Sequence, residues 1–235
     1  MDPKARSESV LSCPGWHGKF CDMNTVRQTR QPSNCTPAEY FVLEAAAEER
    51  HDYVDGLVVA MAGGTIRHSL VIANVIGEFR SKLRGSPCRV YDSNLKIKAR
   101  QYRRYRYPDL SIICGQVEID PDDPTQSTAT NPRVLIEITS EATERDDRGA
   151  KFQDYVSIAS LEEYVIIAQH QPRVETLLRQ TDGTWSLSWT EGLPGMVRIR
   201  SLNLDISLQE LYEGVAFDEP PVDTTTPLDR QNSQT

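Results

Sequence analysis

Nothing in this 235-residue sequence is apolar for long enough to cross a membrane; no run approaches the ~18 residues that a spanning helix needs. The first 22 residues mix charges, Pro and Gly and hold no apolar h-region, so no signal peptide is expected. There is no Walker loop, no GxGxxG and no HExxH, which removes the usual signatures of nucleotide binding and of zinc proteolysis. Ser140 has no evident His and Asp partners to make it a nucleophile. The five cysteines (Cys13, Cys21, Cys35, Cys88 and Cys114) follow no CxxC spacing. An odd, scattered set without a secretion signal reads as reduced thiols in a cytoplasm. Cys13, His17 and Cys21 are spaced like part of a zinc ligand set, but no second CxxC or HxxxH completes it.

The net charge of -8 argues against a general nucleic-acid coat protein. The distribution says more than the total. Between Arg89 and Pro108 seven basic residues face one acid, whereas from Asp205 onward seven acids face one Arg. With 38% apolar residues the chain can build one sizeable core. Residues 1–35 and 218–235 lack periodicity and are expected to be disordered, with Met23 an alternative start; residues 36–217 then form one domain. Thr36-Pro37-Ala38-Glu39 is a capping box that opens a helix to about Arg50. A hairpin turning at Asp55-Gly56 follows, then a helix from Gly63-Gly64-Thr65 to about Leu83. Strands are expected at 89–99, 108–114 and 133–139, a helix at 146–159, four further strands, and a short capped helix from Ser207. This order argues for an α/β fold, a central mixed β-sheet flanked by helices.

The strongest chemical signal is a pair of acids on apolar strands. Asp109 opens the run Leu110-Ser111-Ile112-Ile113, and Glu137 interrupts Val134-Leu135-Ile136. A charge on a buried strand is costly unless it is paired or holds a metal. On adjacent strands the two carboxylates reach one point, and one or two carboxylates with waters and substrate phosphate are what Mg²⁺ or Mn²⁺ takes. The bland alternative for Asp109 is a strand-initiating residue capped by water. In the next helix Asp147 and Lys151, four apart, share a face. Lys151 either steadies an attacking water or phosphate, or forms an exposed salt bridge with Asp147 worth a few tenths of a kcal/mol. His68 lies in the first turn of its helix, where free N–H groups attract phosphate, although a lone His is more often merely packed. Lys96, Lys98 and Arg100 share one strand face and form either a phosphate-contacting strip or a solvated edge.

These residues carry a resemblance. The run Tyr107-Pro108-Asp109, then Val134 to Ser140, then Asp147-Arg148-Gly149-Ala150-Lys151-Phe152, then Glu163-Tyr164-Val165-Ile166-Ile167, is similar to the Uma2 family of the PD-(D/E)XK nuclease superfamily. His51 to Gly56, Met61 to Gly64 and Arg67-His68 fit as well, so the likeness spans about residues 36–217. It implies a restriction-endonuclease-like core and a metal-dependent endonuclease acting on DNA, with Asp109 and Glu137 as Mg²⁺ or Mn²⁺ ligands. It also implies that Lys151 replaces the superfamily lysine, whose place is held by Thr139. Asp52 stands where the family usually has Glu, Asn94 where it usually has Asp, and Glu141 where Pro is common. Asp52, His68, Asp147 and Asn94 are thus secondary candidates for the site. The superfamily's habit implies a homodimer for two-strand cleavage. Two readings compete with the nuclease: a non-catalytic nucleic-acid-binding or regulatory module, and a phosphoesterase on a small substrate.

Overall fold

Fully apolar strands cannot face water on either side, and the two most apolar segments here pair with each other in the middle of a sheet. The computed structural model describes residues 35–61, 63–99, 103–140 and 143–217. Strands β8 (Val134–Thr139) and β9 (Glu163–Ala168) are buried at every position and run parallel, as sheets covered on both faces do. Around them lie β3 (Cys88–Asp92), β6 (Leu110–Cys114), β10 (Arg173–Arg179) and β11 (Trp185–Glu191). The order is β11-β10-β9-β8-β6-β3, and every other pairing is antiparallel.

Side chains alternate between faces along each strand. Leu110, Ile112, Val134, Ile136, Val165 and Ile167 pack with Val71, Val75 and Phe79 of helix α2 (Ile66–Lys82). The opposite face, with Ile113, Leu135, Tyr164 and Ile166, is covered by Tyr155, Ile158 and Leu161. Those three follow from the β8–β9 crossover, which runs through α3 (Glu144–Asp146), a π-helical turn (Asp147–Lys151) and α4 (Phe152–Tyr155). The mixed sheet with helices on both faces is the architecture expected from the sequence. The expected helix over 146–159 is earlier, shorter and interrupted by the π-turn.

A second sheet has the order β2-β1-β5-β4-β7. It is built from β1 (His51–Val54), β2 (Leu57–Ala60), β4 (Lys96–Ala99), β5 (Arg104–Arg106) and β7 (Thr128–Ala129). Tyr40 and Phe41 of α1 (Pro37–Ala46) pack with Tyr53 and Tyr105 as one aromatic cluster. The capping box at Thr36 and Glu39 forms as expected, but α1 stops four residues before Arg50. A hairpin of β12 (Met196–Ile199) and β13 (Leu204–Ser207), followed by α5 (Leu208–Leu211), ends the element order.

Three expectations are corrected here. The strand expected at 89–99 is two strands, β3 and β4, which belong to different sheets and are separated at residues 93–95. Cys88 and Cys114 stand opposite each other on β3 and β6 and form a disulfide, so the reading of all five cysteines as reduced thiols fails, and its argument for a cytoplasm lapses with it. Cys35 is buried. The two described members of the expected basic strip, Lys96 and Lys98, do not form a free phosphate-contacting face. Lys96 is buried beneath the rings of Tyr40, Phe41 and Tyr107, with Asp123 3.8 Å away. Lys98 is held by Asp120 and Asp122 at 2.7 and 2.9 Å. The parity argument placed these lysines correctly on one face, but that face turns inward against aromatic rings and acids. Arg100 and the Cys13/His17/Cys21 group lie outside the described residues, as do most of the two expected disordered ends. Among the described residues no helix is long and apolar enough to cross a membrane.

The loop that pins β7 against β4 turns on Asp123. Its carboxylate accepts from the amides of Thr125 and Ser127 and from the hydroxyls of Thr125, Ser127 and Thr128. Burial works against the charge, but the Thr125 and Thr128 hydrogen bonds outweigh it and hold the carboxyl down at about 2, against 3.8 for a free Asp. A carboxyl depressed in the folded state adds stability above its unfolded pKa and loses it as pH falls toward the folded one. Asp123→Asn is expected to cost about 2 kcal/mol at neutral pH. The deficit should shrink as pH drops from 3.8 to about 2, which urea unfolding at several pH values measures.

Candidate metal and active site

Asp109 is delivered by a fixed approach. Pro108 keeps Tyr107 out of helical conformation, and the Tyr107 amide donates to Asp52 Oδ1 at 3.1 Å. Asp52 is in turn held at Oδ2 by Arg106 at 2.8 Å. The β6–β8 register pairs Leu110 with Ile136; one step further, it sets Asp109 across from Glu137. The Ile138 amide donates to Asp109 Oδ2 at 2.7 Å, so the side chain is bound to the strand that carries Glu137.

Glu137 is 2% exposed. Tyr155 donates its hydroxyl to Oε1 at 2.8 Å, and Lys151 Nζ lies 3.0 Å from Oε2. Lys151 also lies 2.8 Å from Asp147 Oδ1. This is not the exposed salt bridge that the spacing alone allows, because Asp147 is 1% exposed. The π-turn over 147–151 brings both partners inward above the sheet, in keeping with the frequency of such turns at functional sites. Burial opposes the Lys151 charge, but Glu137 and Asp147 outweigh it and hold the ammonium well above its usual range. Burial pushes the Glu137 carboxyl up against the pull of Lys151, and Asp109 and Asp147 push it further. Glu137 and Asp147 thus share one buried ammonium, that of Lys151.

His68 reaches the site from the other side. Thr65 caps α2 by accepting from the His68 amide at 3.1 Å, and His68 Nε2 lies 3.3 Å from Asp109 Oδ2. The Asp109 hydrogen bond raises the imidazole pKa against the effect of burial. Gly64 leaves the ring its space: a Cβ there would lie 2.7 Å from Nδ1.

The structure therefore brings together Asp109, Glu137, Lys151, Asp147 and His68. Asp52 stands behind them, tied to Arg106 and the Tyr107 backbone. Asn94 is not among them. Its amide N–H groups donate to Asp92, and Arg50 donates to its carbonyl oxygen, in the turn after β3. The reading of residues missed Tyr155 and the pair Arg106 and Asp154. Arg106 donates to Asp154 Oδ2 through Nε and Nη2 at 2.9 and 2.8 Å. Tyr155 had a signal: it lies four residues after Lys151, on the same helical face.

Among the described residues no three His, Cys, Asp or Glu side chains gather as a ligand set. Two carboxylates are nevertheless enough for Mg²⁺, which keeps several waters. Asp109 has Oδ1 free of protein hydrogen bonds among the described residues. The donors are hard oxygens, which suit Mg²⁺ or Mn²⁺ rather than a thiolate metal.

Opposed acids on a mixed sheet, with a lysine from the helix that follows, define an α/β protein of the restriction-endonuclease-like class. The chain belongs to the Uma2 family, whose model, described as "Putative restriction endonuclease", matches residues 37–209. It is 31% identical over 184 residues to the uncharacterised protein slr1290 of Synechocystis sp. (strain ATCC 27184 / PCC 6803 / Kazusa), covering 77% of this chain and 93% of that one. It is 27% identical over 153 residues to sll1609 of the same strain, with 65% and 85% coverage. Its fold is similar to that of a crystal structure from Anabaena variabilis ATCC 29413, titled as a putative nuclease belonging to DUF820. The TM-score is 0.57 at 14% identity, covering 70% of this chain and 90% of that one.

Proposed function

We propose that this chain is a metal-dependent endonuclease that hydrolyses phosphodiester bonds of DNA. The observation that carries the reading is the acid pair: Asp109 sits across from Glu137, and Lys151 bridges Glu137 and Asp147. Asp109 and Glu137 would hold Mg²⁺ or Mn²⁺. A cation there would activate a water and neutralise charge developing on the phosphate. Lys151 would orient the attacking water or the scissile phosphate, and His68 would steady Asp109, which it approaches to 3.3 Å. Tyr155 fixes the Glu137 carboxylate.

One observation favours the rival reading, a non-catalytic nucleic-acid-binding module: both Glu137 oxygens are already engaged, by Tyr155 and Lys151. The same experiment separates the two. Supercoiled plasmid and single-stranded DNA are incubated with Mg²⁺ or Mn²⁺ and wild type, Asp109→Ala or Glu137→Ala. Cleavage by wild type, reduced by at least about a hundredfold in both variants, is the expected result. Salt-sensitive DNA binding that survives Glu137→Ala, without cleavage by any form, would establish the rival.

A further inference from the structure

We infer that strand β11 is a homodimer interface, through which two copies join their six-stranded sheets edge to edge about a two-fold axis. The inference does not depend on the nuclease reading.

β11 ends the sheet and pairs only with β10 among the described residues. It is seven residues long, Trp185-Ser-Leu-Ser-Trp-Thr-Glu191, with no Lys, Arg or Pro. Soluble proteins usually guard a sheet edge with such residues, because its unpaired backbone groups recruit another strand. Here the edge instead carries Leu187 and Trp189, which are 54% and 58% exposed.

The direction of the free backbone groups selects the pairing. At the two ends of the β10–β11 ladder, Gly192 N donates to Pro172 O and Gln180 N donates to Thr184 O. Antiparallel ladders alternate between bonded and non-bonded pairs. Thr184, Ser186, Ser188, Thr190 and Gly192 therefore bond toward β10. The N–H and C=O groups of Trp185, Leu187, Trp189 and Glu191 point to the open edge. An antiparallel copy centred on Ser188 sets Trp185 opposite Glu191 of the second copy, and Leu187 opposite its Trp189. Every outward group then meets an outward group, all seven residues are paired, and the contact is isologous, as a two-fold requires.

The side chains agree with this register. Leu187 and Trp189 cover each other across the axis. Arg179 pairs with Trp185 on β10–β11, its guanidinium 4.9 Å from the ring centroid. Glu191 of the second copy would arrive beside this cation, and Arg173 already holds Glu191 from the other side. The row across the seam reads Arg, Trp, Glu, Arg, with opposite charges adjacent. Because β11 joins the sheet that carries Asp109 and Glu137, the dimer presents both candidate sites on one continuous sheet.

Sedimentation of the full chain should give twice the 26.5 kDa monomer mass, with dissociation on dilution. Leu187→Lys should weaken the dimer by roughly a hundredfold while leaving the circular dichroism spectrum of the folded chain unchanged. Ser188→Cys should form a disulfide-linked dimer on mild oxidation, because the axis sets residue 188 against itself. Ser186→Cys should not, because its partner is Thr190. Wild type at monomer mass throughout, as when another segment of the chain covers the edge, would overturn the inference. So would a dimer unaffected by Leu187→Lys, or equal cross-linking by the two cysteine variants.

Discussion

Arg106→Leu is expected to remove about 3–5 kcal/mol of stability, the cost of breaking a buried ion pair by deleting one partner. The side chain is 6% exposed and divides its donors between two acids. Nη1 holds Asp52 at 2.8 Å, while Nε and Nη2 hold Asp154. After the substitution Asp154 keeps Arg104. Asp52 keeps only the Tyr107 amide, and burial already pushes its carboxyl pKa up despite Arg106. Most of the loss therefore falls on Asp52. Arg106→Lys should rescue little, because an ammonium cannot serve both carboxylates with a planar fork. Adding Asp52→Leu to Arg106→Leu should recover part of the stability, since the stranded charge disappears. Urea unfolding of the three variants tests this, and full additivity of the double variant would show that the two residues do not interact.

That network also marks where the sequence was readable and where it was not. Capping at Thr36, the helix after Thr65 and the apolar runs of β6, β8 and β9 were legible because local chemistry and periodicity decide them. Asp109 and Glu137 were legible for the same reason, as charges inside runs that must be buried. Lys96 and Arg106 were not. Alternation showed which residues share a face but not that the face turns inward. That outcome depends on Asp123 from a loop and on Asp52 and Asp154 from 54 and 48 residues away. The disulfide was missed for a related reason. Cys88 and Cys114 carry no motif spacing, and only the β3–β6 register sets them opposite each other. Lys151 was placed by resemblance, while its burial came from a π-turn that no propensity announces.

Lys151→Met should act on both the fold and the proposed chemistry, and the two effects can be separated. Removing the ammonium leaves Glu137 and Asp147 facing each other in the interior, at a cost of about 3–5 kcal/mol in the absence of divalent cation. Cleavage, where wild type cleaves, should fall by about two to three orders of magnitude, as when one preorganised electrostatic donor is lost. Mg²⁺ should stabilise the variant more than it stabilises wild type. The cation no longer competes with Nζ for Glu137 Oε2, which lies 3.0 Å from that nitrogen, and stabilisation by a ligand grows with its affinity for the folded state. Lys151→Arg separates charge from position: a guanidinium should retain most of the stability but lose most of the cleavage, because it cannot present one donor from the same place. Thermal unfolding with and without Mg²⁺, beside plasmid nicking, reads both effects. If Lys151→Met lost stability but Mg²⁺ stabilised it no more than wild type, the lysine would be a structural counter-charge and the cation would bind elsewhere. If cleavage survived in Lys151→Met, the lysine would have no part in the reaction, and His68, 3.3 Å from Asp109, would be the next residue to test.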